Sequence, residues 1–368
     1  DWSLVRLHLK SRERISEPSG IYSSVTAAAK KLSLNAPERM ALVLAFAAEQ
    51  DTVFLEALAR LRGGRDRGRA SLQAAAYLYK ARLALEADGT DTDREEPDFM
   101  LRPERAALFL ESGWRPEESA REAPLRLLRP VSEFLRGRPV TAGGAPFVRE
   151  REESGPLPRI LLYEELFLRL CRMCARETGD WNLRLCGGEG SGKEFLARHL
   201  AAAQGRRLFV VDGAAGQEAE AKERPLGLAP GDREQAMELI CALLLTGGLL
   251  YWKSPSGALP ELVRRYLPGL LLFGSDGGTE ESPVLSGRAV SVELPCPAAG
   301  QKALLWAEFL KDYAHARDLE PAFLGSRYVL NAGGIRRALY AARKWADGGG
   351  RDAITQEDLA WAVEQAQS

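Results

Sequence analysis

The chain has 368 residues, 45% of them apolar and 27% charged, with a formal net charge of −1. This is ordinary globular composition, long enough for roughly two to three domains of about 100–200 residues, and it excludes a collagen-like or wholly disordered chain. Balanced charge gives no global attraction to nucleic acid or to a membrane surface. No apolar stretch reaches the roughly 18 residues of a membrane span, and the N-terminus has no charged-then-apolar leader pattern, so a soluble, cytoplasmic protein is expected.

Residues 1 to about 135 read almost wholly as helices. Asn35 followed three residues later by Glu38, with Leu34 before the cap, is a capping-box pattern that opens a segment with a wide apolar face from Met40 to Phe46. Further helices are expected over 52–62, 71–86, 105–111 and 131–136. The loop 60–69 carries five arginines, enough to contact phosphates or an acidic partner, but no aromatic is interleaved for base stacking. A solvated interhelix loop is the favoured reading, as it is for the acidic stretch 88–98. Residues 141–158, with three glycines and three prolines among charges, read as a linker.

A helix is expected over 159–177, after which strands and helices alternate. Strands are read at 181–186, 207–212, 249–253, 270–273 and 289–294, and helices at 194–204 and 232–245. Short apolar strands alternating with helices imply a parallel sheet covered by helices. Beyond Pro297 the pattern returns to helices at 301–311, 334–345 and 355–367, the last opened by Thr355 and Asp358 in a capping-box variant. The fold class is therefore α/β: a five-stranded parallel core with a small C-terminal helical lid, preceded by an all-α region. Its parts are 1–140 (helical), 141–158 (linker), 159–297 (core) and 298–368 (lid).

Five cysteines at 171, 174, 186, 241 and 296 are scattered and odd in number, which fits buried thiols in a reducing compartment. Cys171 and Cys174 form a lone C-x-x-C read as helix packing. His8, His199 and His315 lie far apart, and no metal-ligand set is evident. The chain starts at Asp1 without Met and stops at Ser368 in helix-like sequence, so both ends read as cuts in something longer.

Between the first core strand and its helix lies Gly187-Gly188-Glu189-Gly190-Ser191-Gly192-Lys193-Glu194. Gly, four residues, Gly and Lys make a phosphate-binding loop, in which backbone N–H groups curl around phosphates and the lysine reaches the β/γ oxygens. The final Ser or Thr, whose hydroxyl helps to hold Mg²⁺, is replaced by Glu194. A carboxylate about 4 Å from a phosphate oxygen repels it by about 4 kcal/mol at an effective dielectric of 20.

With the loop, the segment 34–49, Ala289 to Pro295 followed by Leu304-Leu-Trp306, and Gly333-Gly334-Ile335-Arg336-Arg337-Ala338-Leu339 followed by Ile354 to Leu359 resemble the AAA+ ATPase family. The likeness is narrower to the first module of bacterial tandem-AAA proteins of the cell-division-cycle type. The resemblance implies ATP or ADP as ligand, with Gly187, Gly188, Glu189, Gly190, Ser191 and Gly192 wrapping phosphates and Lys193 holding them. It also implies Arg336 as the lid's sensor-2 arginine and Arg288 as an arginine finger, with Arg264 and Arg265 as weaker finger candidates. Self-association in a hexameric ring is implied as well, with an unidentified protein client.

Departures from the family pattern are equally specific. The Walker B strand should end in Asp-Glu, yet 249–252 is followed by Lys253-Ser254; the sensor-1 position falls on Ser275 or Asp276, and Asp212 is assigned to structure. Without these acids, phosphoryl transfer loses its means of positioning water and metal. The expectation is a hydrolysis-deficient nucleotide-binding module acting as a scaffold in a tandem ATPase, with Lys253 standing as a fixed cation in place of Mg²⁺. Two other readings stay open: an active ATPase with Glu194 ligating Mg²⁺, and a replication- or recombination-type AAA protein that binds DNA through the arginine loop.

Overall fold

The computed structural model describes residues 20–50, 56, 70–86, 101–111, 125–142, 148–151, 157–176, 179–212, 230–253, 259–276 and 288–367. The expected helix at 52–62 (residue 56 apart), the arginine loop and the acidic stretch lie outside the described residues. Contacts divide the chain into two compact units, one of residues 1–148 with 225–248, the other of 149–224 with 249–368.

In the first unit, α1 (Gly20–Lys31), α2 (Ala36–Gln50), α3 (Leu72–Glu86), α4 (Pro103–Ala106) and α5 (Arg129–Leu135) gather with α8 (Pro230–Thr246). The capping box at the start of α2 forms as read: Asn35 N–H donates to Glu38 Oε2 (2.8 Å) and Glu38 N–H to Asn35 Oδ1 (2.9 Å). Glu38 is fully buried, and it also accepts from the backbone N–H and guanidinium of Arg102, the ion pair closing at 2.6 Å. Burial alone would raise its pKa, but the Arg102 side chain and the two backbone N–H groups outweigh that and hold the carboxyl below its usual range. The helix α8, read from the sequence as alternating with strands, packs on α5 and α1 because its apolar residues lie on more than one face: Met237, Leu239, Ile240, Cys241 and Leu243 are all buried.

The second unit is built on a sheet of six strands in the order β1-β3-β4-β5-β2-β6: β1 (Val148–Arg151), β2 (Trp181–Cys186), β3 (Leu208–Asp212), β4 (Leu249–Lys253), β5 (Leu270–Ser275) and β6 (Ala289–Glu293). The four pairings from β3 to β6 are parallel, so the five expected strands form a parallel core. The edge strand β1 was read as linker, because Val-Arg-Glu-Arg carries no apolar alternation to mark it. β3, β4 and β5 are apolar up to their carboxyl ends, where Asp212, Lys253 and Gly274-Ser275 stand, as strands covered on both faces should be. Against the sheet pack α6 (Glu164–Arg176) and α7 (Lys193–Ala203), with Leu170, Leu196, Leu200, Leu183 and Leu272 in one core cluster. The helix expected from 159 begins only at Glu164: residues 157–163 belong to no helix or strand, and Tyr163 has φ +64°, its hydroxyl donating to Pro295 O at 2.6 Å.

Beyond β6 a helical lid has its own core around Trp306, Ile335, Leu339 and Leu359. It comprises α10 (Ala299–Phe309), α11 (Pro321–Arg327), α12 (Ala332–Gly348) and α13 (Gln356–Gln367), α9 (Leu259–Tyr266) having come between β4 and β5. Thr355 and Asp358 cap α13 as expected, and buried Asp358 takes a further bond from Arg351 at 2.6 Å. A parallel five-stranded core flanked by helices, with a helical lid and an N-terminal all-α region, is a P-loop fold of the AAA+ type. No helix among the described residues is long and apolar enough to cross a membrane.

Candidate phosphate-binding site

Strand order brings the site's side chains together. Because β5 inserts between β2 and β4, the carboxyl ends of four strands lie side by side: Cys186 opposite Ser275, Gly274 opposite Lys253, and Lys253 opposite Asp212. Neighbouring parallel strands are about 4.8 Å apart, so the groups at those ends share one rim, the place where open α/β sheets bind ligands.

The loop 187–192 leaves β2 at that rim and runs into α7. Gly190 has φ +79° and Gly192 φ +101°, conformations that side chains rarely adopt. A Cβ at Gly190 would lie 2.8 Å from Asn331 Oδ1, whereas at Gly192 there is nothing within 4 Å, so the constraint there is conformational. Loop and helix N-terminus border a cavity of about 820 Å³ that is also lined by 158–163 and the lid. Ser191 Oγ is buried there without a hydrogen-bond partner. An orphaned hydroxyl, left-handed glycines and the positive end of a helix suit phosphate oxygens.

Both lysines nearest the loop are paired with carboxylates. Lys193 Nζ donates to Gly188 O (3.1 Å), Gly187 O and the carboxylate of Asp276. It crosses the sheet over Gly274, where a Cβ would lie 3.4 Å from the lysine's Cε and collide with the Tyr251 hydroxyl. Glu194 meets Lys253 at 2.7 Å. Asp212 lines the same cavity in register with Lys253, although the order of elements assigned it to structure. The Tyr251 hydroxyl feels the cluster: burial first, then the charges of Glu194, Asp276 and Asp212, push its pKa well above the usual phenol value.

Magnesium does not fit this arrangement. An ammonium ends β4 where a metal-binding carboxylate would be needed, and it is paired with the side chain that replaces the metal's hydroxyl ligand. Among the described residues no three His, Cys, Asp or Glu side chains converge as a metal-ligand set. Burial, with Cys171 close by, pushes the Cys174 thiol of the C-x-x-C up to about 11.

From the lid, Asn331 caps α12 by accepting from Gly334 N–H (2.9 Å), and its amide donates to Glu189 O (2.6 Å). Gly333 N–H donates to Gly190 O at 2.9 Å, and Arg337 pairs with the Glu189 side chain at 2.8 Å. Arg336, the residue singled out by sequence, lines the cavity but stacks over the Phe309 ring at 4.4 Å; its neighbour Arg337 touches the loop. Arg288 is exposed at the start of β6, the end of the sheet away from the loop. Arg264 is committed within its own chain, its guanidinium donating to Gly269 O, Trp181 O and Asn182 Oδ1, while Arg265 is exposed.

Sequence reasoning missed Tyr251, Gly274, Asn331 and Arg337 as site residues and treated Asp276 only as one of two sensor-1 options. A glycine inside the apolar run 270–275 was the available signal for a close approach. The others depend on strand order and lid docking.

No protein-family model matches the chain. No curated protein matches it either. A chain of the solved structure "Structural Basis for Katanin Self-Assembly" is similar at 12% identity, covering 60% of this chain and 87% of that one, with a TM-score of 0.46. At that level the likeness carries no weight for function.

Proposed function

We propose that this chain is a hydrolysis-deficient nucleotide-binding module of the AAA+ type, which holds ATP or ADP without a metal and serves as a scaffold rather than a motor. The observation that carries this reading is the Glu194–Lys253 ion pair at 2.7 Å beside an otherwise complete phosphate loop. Loop amides from Gly187 to Gly192 and the Lys193 ammonium would hold phosphates. The Lys253 ammonium supplies a fixed positive charge at the rim, but it cannot polarise and position an attacking water as a metal with an adjacent glutamate does. With Glu194 engaged by Lys253, metal ligation by Glu194 loses its main support; the arginine loop invoked for DNA binding lies outside the described residues.

On this reading 159–297, with the edge strand β1 and without α8, form the core and 298–368 the lid, after a helical region 1–140; the linker read at 141–158 holds β1. Self-association in a ring, with a catalytically active module elsewhere in the assembly, follows from the family resemblance, as do the roles of Arg336 and Arg288. The test is calorimetric titration of ATP and ADP in Mg²⁺ and in EDTA, with Lys193→Ala as control. Binding that is equal in both conditions and lost in the control is the expected result. Binding that needs Mg²⁺, or phosphate release above the Lys193→Ala background, would refute the metal-free scaffold.

A further inference from the structure

The structure assigns Asp276 as a tethered anion on Lys193 that makes the site selective for a nucleoside diphosphate over a triphosphate. The inference rests on the phosphate-site reading above and names the ligand class that the site takes.

Three acceptors surround Lys193 Nζ: Gly187 O, Gly188 O and the Asp276 carboxylate. An ammonium has three donors, so all are in use. Two of these acceptors are neutral carbonyls of the loop itself, which can remain while phosphate binds the loop amides. The third carries a full charge, and it takes up a donor that the lysine would otherwise give to the terminal phosphate. Asp276 is half exposed whereas Lys193 is largely buried. The lysine is therefore fixed, and the carboxylate is the partner able to exchange.

Charge balance in the cavity points the same way. Its lining holds six basic and six acidic side chains. Four of the basic groups are already paired with carboxylates of the same lining: Lys193 with Asp276, Lys253 with Glu194, Arg337 with Glu189 and Lys311 with Glu308. The two basic groups left over, Arg159 and Arg336, are equalled in number by Asp212 and Asp312, so the lining carries no excess of positive charge. A diphosphate can be met by the loop amides and the helix N-terminus. One more phosphate must either displace Asp276 from Lys193 or lie against its carboxylate, which repels it. Asp276 is thus a specificity-determining residue, placed just beyond the end of β5, two residues after Gly274, whose missing side chain makes room for the Tyr251 hydroxyl.

The test is calorimetry of ADP and ATP, in EDTA, on the whole chain and on Asp276→Asn, with Asp276→Ser as a second variant should the first fold poorly. The chain should bind ADP about tenfold or more tightly than ATP. In either variant ATP should gain about tenfold while ADP changes less than about threefold. Equal binding of the two nucleotides by the unaltered chain, or equal gains for both in the variants, would overturn the assignment and leave the phosphate site standing. If neither nucleotide bound the chain or either variant, the phosphate-site reading would fall, and this assignment with it.

Discussion

Two sets of charged residues in this molecule follow rules that look alike in sequence and differ in structure. At the start of α2, Glu38 is fully buried, and its two oxygens accept from Asn35 N–H, Arg102 N–H and the Arg102 guanidinium. At the sheet's carboxyl rim, Lys193, Asp276, Lys253 and Glu194 are also paired, yet Asp276 is half exposed and the pairs border a cavity of about 820 Å³. A saturated, buried carboxylate has no bond to give up without leaving a donor orphaned, so it fixes structure. A paired charge facing open space can change partner, which a binding site requires.

The sharpest way to break this comparison is Glu38→Ala. It strands two backbone N–H groups and an arginine, and thermal or urea unfolding should register a loss of about 2–3 kcal/mol, near the lower end for a broken buried pair because Arg102 is half exposed. A smaller effect is expected at Asp358, the equivalent carboxylate of the lid. Burial pushes its pKa up, but Thr355 and Arg351 outweigh that and depress it. A depressed carboxyl stabilises the fold fully above its unfolded value, near 3.8, and loses that contribution as pH falls through the lower folded value. Asp358→Asn should cost about 1 kcal/mol near neutrality and almost nothing in strong acid, read as Tm differences that converge as pH drops. Least affected should be Lys253→Ala, a partly exposed pair, with a stability change below about 1 kcal/mol alongside a clear loss of nucleotide affinity. A large stability loss there would place the rim pairs with the structural ones.

Much of the fold was legible because it is written in local patterns. β2 and β4 have the bounds read for them, and both capping boxes form at the spacing the sequence shows. Strand β1 was not legible, since a charged edge strand has no alternation to betray it, and neither was the assembly of α8 with the N-terminal helices. The site was readable where it is contiguous, from Gly187 to Glu194. Asp276, Tyr251 and Asp212 reach it only through the insertion of β5 between β2 and β4, and Arg337 through lid docking. Long-range pairings of this kind leave no periodic trace in the chain.

The central claim is that the Glu194–Lys253 pair takes the place of a metal. The most direct measurement is nucleotide affinity in Mg²⁺ and in EDTA, for the unaltered chain and for the double variant Glu194→Thr with Lys253→Asp, which restores a hydroxyl and a carboxylate at the two positions. The account predicts no Mg²⁺ dependence in the unaltered chain and about tenfold or more tighter binding in Mg²⁺ for the double variant. Nucleotide binding by the unaltered chain that disappears in EDTA would contradict it.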